Sequence, residues 1–335
     1  MKFKGIVPSH LAVLSVATAL STICLVSGAN AGGFALNEQS TTGTGMAYAG
    51  VAAGGVLSDM FWNPATLGDV KGLSFESDLT GILPGLNVTT NSLGPLPAQS
   101  QGTVGIGGVV PASYSAYRLN QNVIFGLGIN APFGLATAYN QATSYLANIP
   151  GSAPPKAIAG GTRVFSLDVN PNVAYQFNNQ LTIAVGLQVQ YMELTETGFG
   201  QPTGAYFGKS KNLGYGYTLG VDWKPMQGTT FGLGYRSGIS NGVSGNLAGV
   251  LVAPATYMSF AGDIALNTPG MVSFGASQVL DDKWTLRGGA TYTNWSTLGT
   301  ATVTGPAAAV VTASLGSNLL PFNYKDSYSV STGAE

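Results

Sequence analysis

Few residues of this chain could perform nucleophilic or metal-ion chemistry. The chain contains one histidine, His10, and one cysteine, Cys24, and both lie within the first 31 residues. The acidic residues are scattered without the spacing of metal ligands. Triad hydrolysis, cysteine catalysis, and zinc or haem binding all need these two scarce residue types. If the first residues are removed, we expect no catalytic residue, no metal and no cofactor, and we expect that the protein is not an enzyme.

Residues 1–31 have the features of a cleaved signal peptide. A basic start precedes an apolar run over residues 11–26, and small residues stand at Ala29 and Ala31. These small residues fit an export cleavage site, and the run is too short to favour the alternative of a membrane anchor. We expect cleavage after Ala31, which removes the histidine and the cysteine.

The composition argues against both a water-soluble domain and a nucleic-acid-binding protein. Only 8% of the 335 residues are charged, against roughly 25% in soluble domains, while 45% are hydrophobic. The formal net charge of −1 provides no basic surface for nucleic acid. A soluble enzyme is therefore disfavoured, and we expect no nucleic-acid partner.

Apolar and small polar residues alternate along much of the chain. Beyond residue 31 there is no apolar run long enough for a transmembrane helix. The alternation is clearest in residues 163–177, 181–191 and 213–223. A soluble β-sandwich also alternates, but its outer face would be rich in lysine and glutamate, whereas here the second face is neutral and polar. The pattern predicts an all-β fold, a transmembrane antiparallel β-barrel.

The predicted strands are joined alternately by short turns and long links, as in outer-membrane barrels. Residues 32–71 do not alternate and precede the first strand, so we expect them to plug the lumen as a hatch. The predicted organisation is a signal peptide at 1–31, a hatch at 32–71 and a barrel at 72–335. The predicted strands cover residues 72–84, 109–119, 123–135, 162–177, 181–195, 211–224, 229–238, 263–279, 284–296 and 323–335.

Short motifs after the predicted cleavage site indicate a family. Gly33-Phe34-Ala35-Leu36-Asn37-Glu38-Gln39-Ser40 opens the mature chain, and Asn63-Pro64-Ala65 follows it. Residues 133–137, 294–296 and 325–334 agree in order. In these motifs the chain resembles the FadL/TodX family of outer-membrane transporters for long-chain fatty acids and other hydrophobic compounds. The resemblance implies a barrel of about fourteen strands with an N-terminal hatch. Because about ten strands are predicted here, we expect a chain that is truncated at its C-terminus; a barrel that closes on itself with ten strands is the alternative.

The resemblance also implies a mechanism, which is passive transport through an apolar binding site, a rearrangement of the hatch and a lateral opening of the wall. By this likeness Phe34 would contact the hydrophobic ligand. Asn63, Pro64 and Ala65 would lie where the hatch meets a kink in the third strand, beside the lateral opening.

The kink itself would be formed by Pro132, Phe133, Gly134 and Leu135. Proline removes a donor from the strand ladder, and glycine allows the strand to bend. The alternative, that this motif only ends a strand, stays open at the sequence level.

A ligand carboxylate would need a cation in the lumen. Arg163, Arg236 and Arg287 are available, and Arg287 shares a strand face with Thr285, which favours a position in the lumen. Arg287 is therefore the candidate carboxylate partner. Pairing with a lumenal carboxylate such as Asp168 is the alternative.

The sequence leaves the choice of function partly open. The substrate is a long-chain fatty acid or an aromatic hydrocarbon by the same resemblance. A non-specific porin or structural barrel is the alternative function, which the hatch-like segment disfavours. We expect a monomer in the bacterial outer membrane, in contact with its lipid and lipopolysaccharide.

Overall fold

The structure, a computed structural model, describes residues 33–90, 99–138, 161–199, 204–210, 213–251, 256–315 and 317–335. The predicted signal peptide, residues 1–31, lies outside the described residues. The helices are α1 (Thr41–Gly45), α2 (Pro306–Leu315) and the 3-10 helices η1 (Val51–Ala53), η2 (Leu57–Phe61), η3 (Pro64–Asp69) and η4 (Trp295–Leu298). The strands are β1 (Leu73–Ile82), β2 (Val88–Thr90), β3 (Gln99–Gln101), β4 (Gly108–Arg118), β5 (Val123–Asn130), β6 (Gly134–Ala138), β7 (Gly161–Gln176), β8 (Leu181–Phe199), β9 (Gly204–Ser210), β10 (Gly214–Met226), β11 (Thr229–Arg236), β12 (Ile239–Leu251), β13 (Thr256–Thr268), β14 (Met271–Val279), β15 (Thr285–Thr293), β16 (Thr300–Thr304), β17 (Leu319–Pro321) and β18 (Ser327–Ala334).

Sixteen of the described strands form one antiparallel sheet, here called the wall. Its main path runs β1, β4, β5, β7, β8, β10, β11, β14, β15 and β18, in the order of the sequence. β9, β12, β13, β16 and β17 extend the sheet from the C-terminal end of β8. In the described ranges no helix has the length and hydropathy to cross a membrane.

The wall turns its apolar side chains outward. On β7, Phe165 and Leu167 are exposed, whereas Ser166, Asp168 and Asn170 between and beyond them are buried. The same alternation follows along β8 and β10. In a water-soluble sheet the exposed face would be the polar one, so this inverted burial agrees with a lipid-facing surface.

Residues 33–72, here called the N-terminal segment, pack against the polar face of the wall. Two carboxylates of β1 hold the segment. Asp78 accepts hydrogen bonds from the Thr41 backbone N–H (2.7 Å) and hydroxyl (2.5 Å). Glu76 accepts from the Ser58 backbone N–H (2.9 Å) and hydroxyl (2.7 Å). Acceptors on the wall thus fix the beginning of α1 and of η2.

The C-terminal end of the N-terminal segment is fixed by two cations near the short turns. Arg118 of β4 donates to the carbonyl oxygens of Gly68 (2.5 Å) and Val70 (2.6 Å). Lys224 of β10 forms an ion pair with Asp69. These contacts join the end of η3 to the wall at the point where the chain enters β1.

The long links contain more regular structure than the alternation predicts. The predicted strand 263–279 is two strands, β13 and β14, because Pro269 and Gly270 interrupt it. Strand β9 lies within the predicted link 196–210, and β12 within 239–262. The predicted link 297–322 contains β16, α2 and β17.

Candidate functional site

The third strand of the wall is interrupted, and the interruption coincides with the predicted kink. β5 ends at Asn130 and β6 begins at Gly134. β5 pairs with β4 and β7, and Gly134 resumes the pairing with β7, so the motif does not simply end a strand. Residues 108–111 of β4 pair only with β1 among the described strands. Pro132 has no N–H to donate, which favours the interruption at residues 131–133, here called the strand break.

The first residues of the N-terminal segment pair with the strand break through their backbone. The N–H of Leu36 donates to the carbonyl of Pro132 (2.9 Å), and the N–H of Gly134 donates to the carbonyl of Phe34 (2.9 Å). An isolated antiparallel bridge lies between these two bonds. Residues 34–36 therefore act as a short additional strand exactly where the third strand of the wall leaves its neighbour.

Two side chains satisfy further backbone groups of the strand break. Gln39 donates from Nε2 to the carbonyl of Ala131 (2.9 Å). Ser166 of β7 accepts from the N–H of Phe133 (2.9 Å), and its own N–H donates to the Phe133 carbonyl (3.1 Å). Neither residue was assigned a role from the sequence. Ser166 stands at a polar position of an alternating strand. Gln39 belongs to the N-terminal motif, but the motif does not indicate its partner, which is 92 positions away.

Phe34 lies in an apolar group of side chains, here called the aromatic cluster. Its ring is 5.7 Å from that of Phe133, 5.2 Å from that of Trp295 and 6.4 Å from that of Tyr324, all edge-on between centroids. Edge-to-face packing of this kind is favourable beyond the burial of area. The structure thus brings Phe34, Phe133 and Leu135 together. Also in the cluster are Val164, Met192, Leu194, Val243, Leu247, Ile264, Leu266 and Leu298.

A small cavity of about 50 Å³ lies beside the strand break. Sites for small hydrophobic ligands usually have about 300–1,000 Å³, so this space holds little more than water. A larger ligand can enter only if lining residues such as Leu36 move. The lining residues are Ala35, Leu36, Asn37, Pro132, Phe133, Gln188, Gln190, Arg236, Ser237, Ile239, Thr268, Pro269, Met271 and Thr293.

Arg236 of β11 is the one cation among the described residues that line this cavity. Its guanidinium forms a buried ion pair with Asp168 of β7 and lies 4.3 Å from the centroid of the Phe61 ring. Because β8 and β10 separate β7 from β11, the pair spans the polar face of the wall.

Arg287 faces the N-terminal segment and not the cavity. It donates from Nη1 to the Gly54 carbonyl (2.7 Å) and from Nε to Glu335 (3.1 Å). The inward direction of its side chain agrees with the strand-face argument. Asp168, considered as its alternative partner, pairs with Arg236 instead. At the cavity, Arg236 therefore takes the position that was expected for Arg287.

The Asn63-Pro64-Ala65 motif lies against β10, so the expectation that it meets the kink is wrong. Asn63 donates from Nδ2 to the carbonyls of Ala52 (2.7 Å) and Val221 (3.0 Å). Its Oδ1 accepts from the N–H of Ala65 (3.0 Å), and Pro64 fills the first position of η3, where an N–H is not needed. The motif fastens the N-terminal segment to the wall, and Gln39 occupies the place at the strand break.

Asp59 of η2 is a buried carboxyl in the N-terminal segment. Burial raises the pKa of Asp59 to about 7, and the negative charge of Glu76 raises it further. The Val56 N–H, which donates to the carboxylate (3.2 Å), and the charge of Arg287 lower the pKa but do not offset the effect of burial. No group of three or more acidic residues in the described ranges is placed to hold a metal ion.

We predict that the N-terminal segment is held more firmly in mild acid than in mild base. The pKa of Asp59 in the folded state is above its ordinary value of 3.8, so the folded protein holds this proton more tightly than the unfolded chain does. The stabilisation that results is complete below pH 3.8 and is lost as the pH rises to about 7. Hydrogen-exchange protection factors of residues 56–61 should therefore fall across this window, by the equivalent of about 4 kcal/mol at most. In Asp59→Asn the decrease should vanish. Equal pH dependence in both proteins would contradict this prediction.

The comparisons with known proteins agree on one kind of protein. The family model described as "Outer membrane protein transport protein (OMPP1/FadL/TodX)" matches residues 22–335. Outer membrane protein P1 of Haemophilus influenzae is 26% identical over 84% of this chain and 69% of that protein. A long-chain fatty acid transport protein of Escherichia coli is 24% identical over 79% of this chain and 66% of that protein. The crystal structure of the Ralstonia pickettii toluene transporter TbuX superposes with a TM-score of 0.63 at 20% identity, over 89% of this chain and 83% of that one. The predicted fold class, an outer-membrane β-barrel, is confirmed.

Proposed function

The chain belongs to the outer membrane protein transport protein family (OMPP1/FadL/TodX), and from this premise we propose that it carries hydrophobic small molecules passively across the bacterial outer membrane. We propose residues 1–31 as the export signal, 32–71 as the hatch and 72–335 as the barrel. The role is that of a transporter and not of an enzyme. The exposed apolar side chains of the wall suit contact with membrane lipid and lipopolysaccharide. The protein would work as a monomer.

One observation supports this function above the others. Phe34 fills part of the aromatic cluster, and residues 34–36 complete backbone hydrogen bonds of the strand break. If these residues withdraw, the same movement enlarges the cavity that Ala35 and Leu36 line and uncovers the break in the wall. A ligand entering the space would then face a lateral exit into the membrane at Pro132, Phe133, Gly134 and Leu135.

The anchors of the N-terminal segment support a movement of its first residues only. Thr41, Ser58 and the end of η3 are each bound to the wall, and Asn63 adds a bond to the carbonyl of Val221 on β10. Before Thr41 the contacts with the wall include the two backbone bonds to the strand break and the Gln39 amide. We propose that the gate consists of residues 33–40, while Asn63, Pro64 and Ala65 keep the remainder of the hatch in place.

The substrate is proposed from the relatives. The Escherichia coli relative is named for long-chain fatty acids, and the Ralstonia pickettii structure is that of a toluene transporter. A long-chain fatty acid or an aromatic hydrocarbon would each suit the aromatic cluster, because its lining is almost entirely apolar.

Phe34→Ala is expected to lower saturable uptake of a labelled hydrophobic substrate about tenfold or more. The substitution removes a ring that packs on three others, a change that costs about 3–5 kcal/mol in a protein core. Uptake by cells expressing each variant measures the effect. Phe75→Ala is the matched control, because Phe75 is exposed on the outer face of β1.

Unchanged uptake by Phe34→Ala would remove Phe34 from the transport site. The same cells distinguish the non-specific porin. A porin would admit sugars and ions without preference for apolar molecules, and the proposed transporter would not.

A further inference from the structure

The cavity beside the strand break carries no net charge from the described residues that line it. Its one cation, Arg236, is 5% exposed, and its carboxylate partner Asp168 is completely buried. The charges of the two groups therefore cancel inside the wall, away from solvent.

Two of the three guanidinium nitrogens of Arg236 already donate to groups of the protein. Nη2 donates to Asp168, Nη1 donates to the carbonyl of Phe61 (3.3 Å) and to Oδ1 of Asn170 (3.4 Å), and the Phe61 ring covers one face. An arginine that turned toward a ligand carboxylate would leave Asp168 buried and unpaired, which is strongly unfavourable. The ion pair thus resists the exchange that a fatty-acid headgroup would require.

The other polar groups that line the cavity are amides and hydroxyls. Gln188 donates to the carbonyl of Tyr217 (3.0 Å), and Gln190 accepts from Asn241 (2.9 Å). Neutral groups of this kind can bind a hydroxyl or carbonyl of a ligand, but they do not replace the hydration of a carboxylate. The apolar part of the lining includes Leu36, Pro132 and Phe133.

From this charge distribution we infer that the site selects uncharged hydrophobic molecules, carrying at most a hydroxyl or carbonyl group, over carboxylates. Asp168 is the residue that determines this selectivity, because it neutralises Arg236. The inference rests on the proposed function and narrows its substrate class.

Competition between two ligands of equal chain length tests the inference. The purified protein is mixed with equal amounts of hexadecanol and hexadecanoate at about pH 8, where the carboxylate is ionised. Mass spectrometry of the bound fraction then gives the ratio. We expect at least about tenfold preference for hexadecanol. Asp168→Asn should release the positive charge of Arg236 and shift the ratio about tenfold toward hexadecanoate.

Asp69→Asn is the matched control. It changes the net charge by the same amount but releases a different cation, Lys224, which does not line this cavity. The ratio of bound hexadecanol to bound hexadecanoate should therefore stay as in the unmodified protein. Equal or tighter binding of hexadecanoate by the unmodified protein would overturn the inference, even if the variants do not fold. An unshifted ratio in Asp168→Asn would also overturn it. If neither ligand binds, the proposed function fails as well.

Discussion

Gly234→Val is expected to lift the N-terminal segment from the wall and to open a leak for small polar solutes. A Cβ atom at Gly234 would overlap the carbonyl oxygen of Trp62 and would lie 2.8 Å from the Cα of Asn63. Both obstacles are backbone atoms, so no side-chain rotation relieves the clash. The neighbouring Gly232 meets the carbonyl of Ala52 in the same way, which shows that β11 approaches the segment along its length.

Conductance of single proteins in planar bilayers measures this effect. The unmodified protein should be closed to ions, whereas Gly234→Val should show frequent or permanent openings. Gly81→Val is the matched control, because Gly81 lies on a wall strand with nothing within 4 Å of its Cβ position. If Gly234→Val stays closed, the segment does not seal the lumen through this contact.

Asn63→Ala is expected to destabilise the N-terminal segment by about 3 kcal/mol or more. The substitution removes the amide donor to the buried carbonyl of Ala52 and to the partly buried carbonyl of Val221, and it removes the cap of η3. A buried polar group left unpaired costs about 1–3 kcal/mol, and a lost cap about 0.5–2 kcal/mol. The hydrogen-exchange protection of residues 51–69 should fall accordingly, and the conductance should rise.

Asn63→Asp separates the two roles of this side chain. Aspartate still caps η3 but has no donor for the carbonyls, so protection should fall nearly as far as in Asn63→Ala. Asn120→Ala, at an exposed short turn, should leave the segment unaffected. Full protection of residues 51–69 in Asn63→Ala would contradict the anchoring role.

The alternation of residues predicted the main path of the wall because lipid and lumen impose opposite polarity on successive residues. Phe165 and Ser166 show this directly, one exposed and the other buried. The long links were not predicted as strands, because their glycine, serine and alanine residues give no alternation. There β12 pairs with β13, and both extend from β8, through contacts that only the assembled sheet provides.

The sequence indicated those site residues whose role depends only on their own backbone or on near neighbours in the chain. Pro132 and Gly134 mark the strand break through their own backbone properties. Asn63 was recognised as a motif, but its partner Val221 is 158 positions away, and nothing in the sequence indicates that contact. Arg287 was correctly predicted to face inward, because the alternation along a strand determines the direction of each side chain. The pairing of Arg236 with Asp168 depends instead on the curvature and register of several strands.

A disulfide between the gate and the strand break tests the central claim most directly. Ala35 and Phe133 form the narrow kind of antiparallel pair, in which Cα atoms lie about 4.5 Å apart, within reach of a disulfide. Uptake of a labelled hydrocarbon is measured in cells carrying Ala35→Cys with Phe133→Cys, before and after reduction of the bond. We expect no uptake while the disulfide is formed and recovered uptake after its reduction. Equal uptake in the two states would contradict a gate that must leave the strand break.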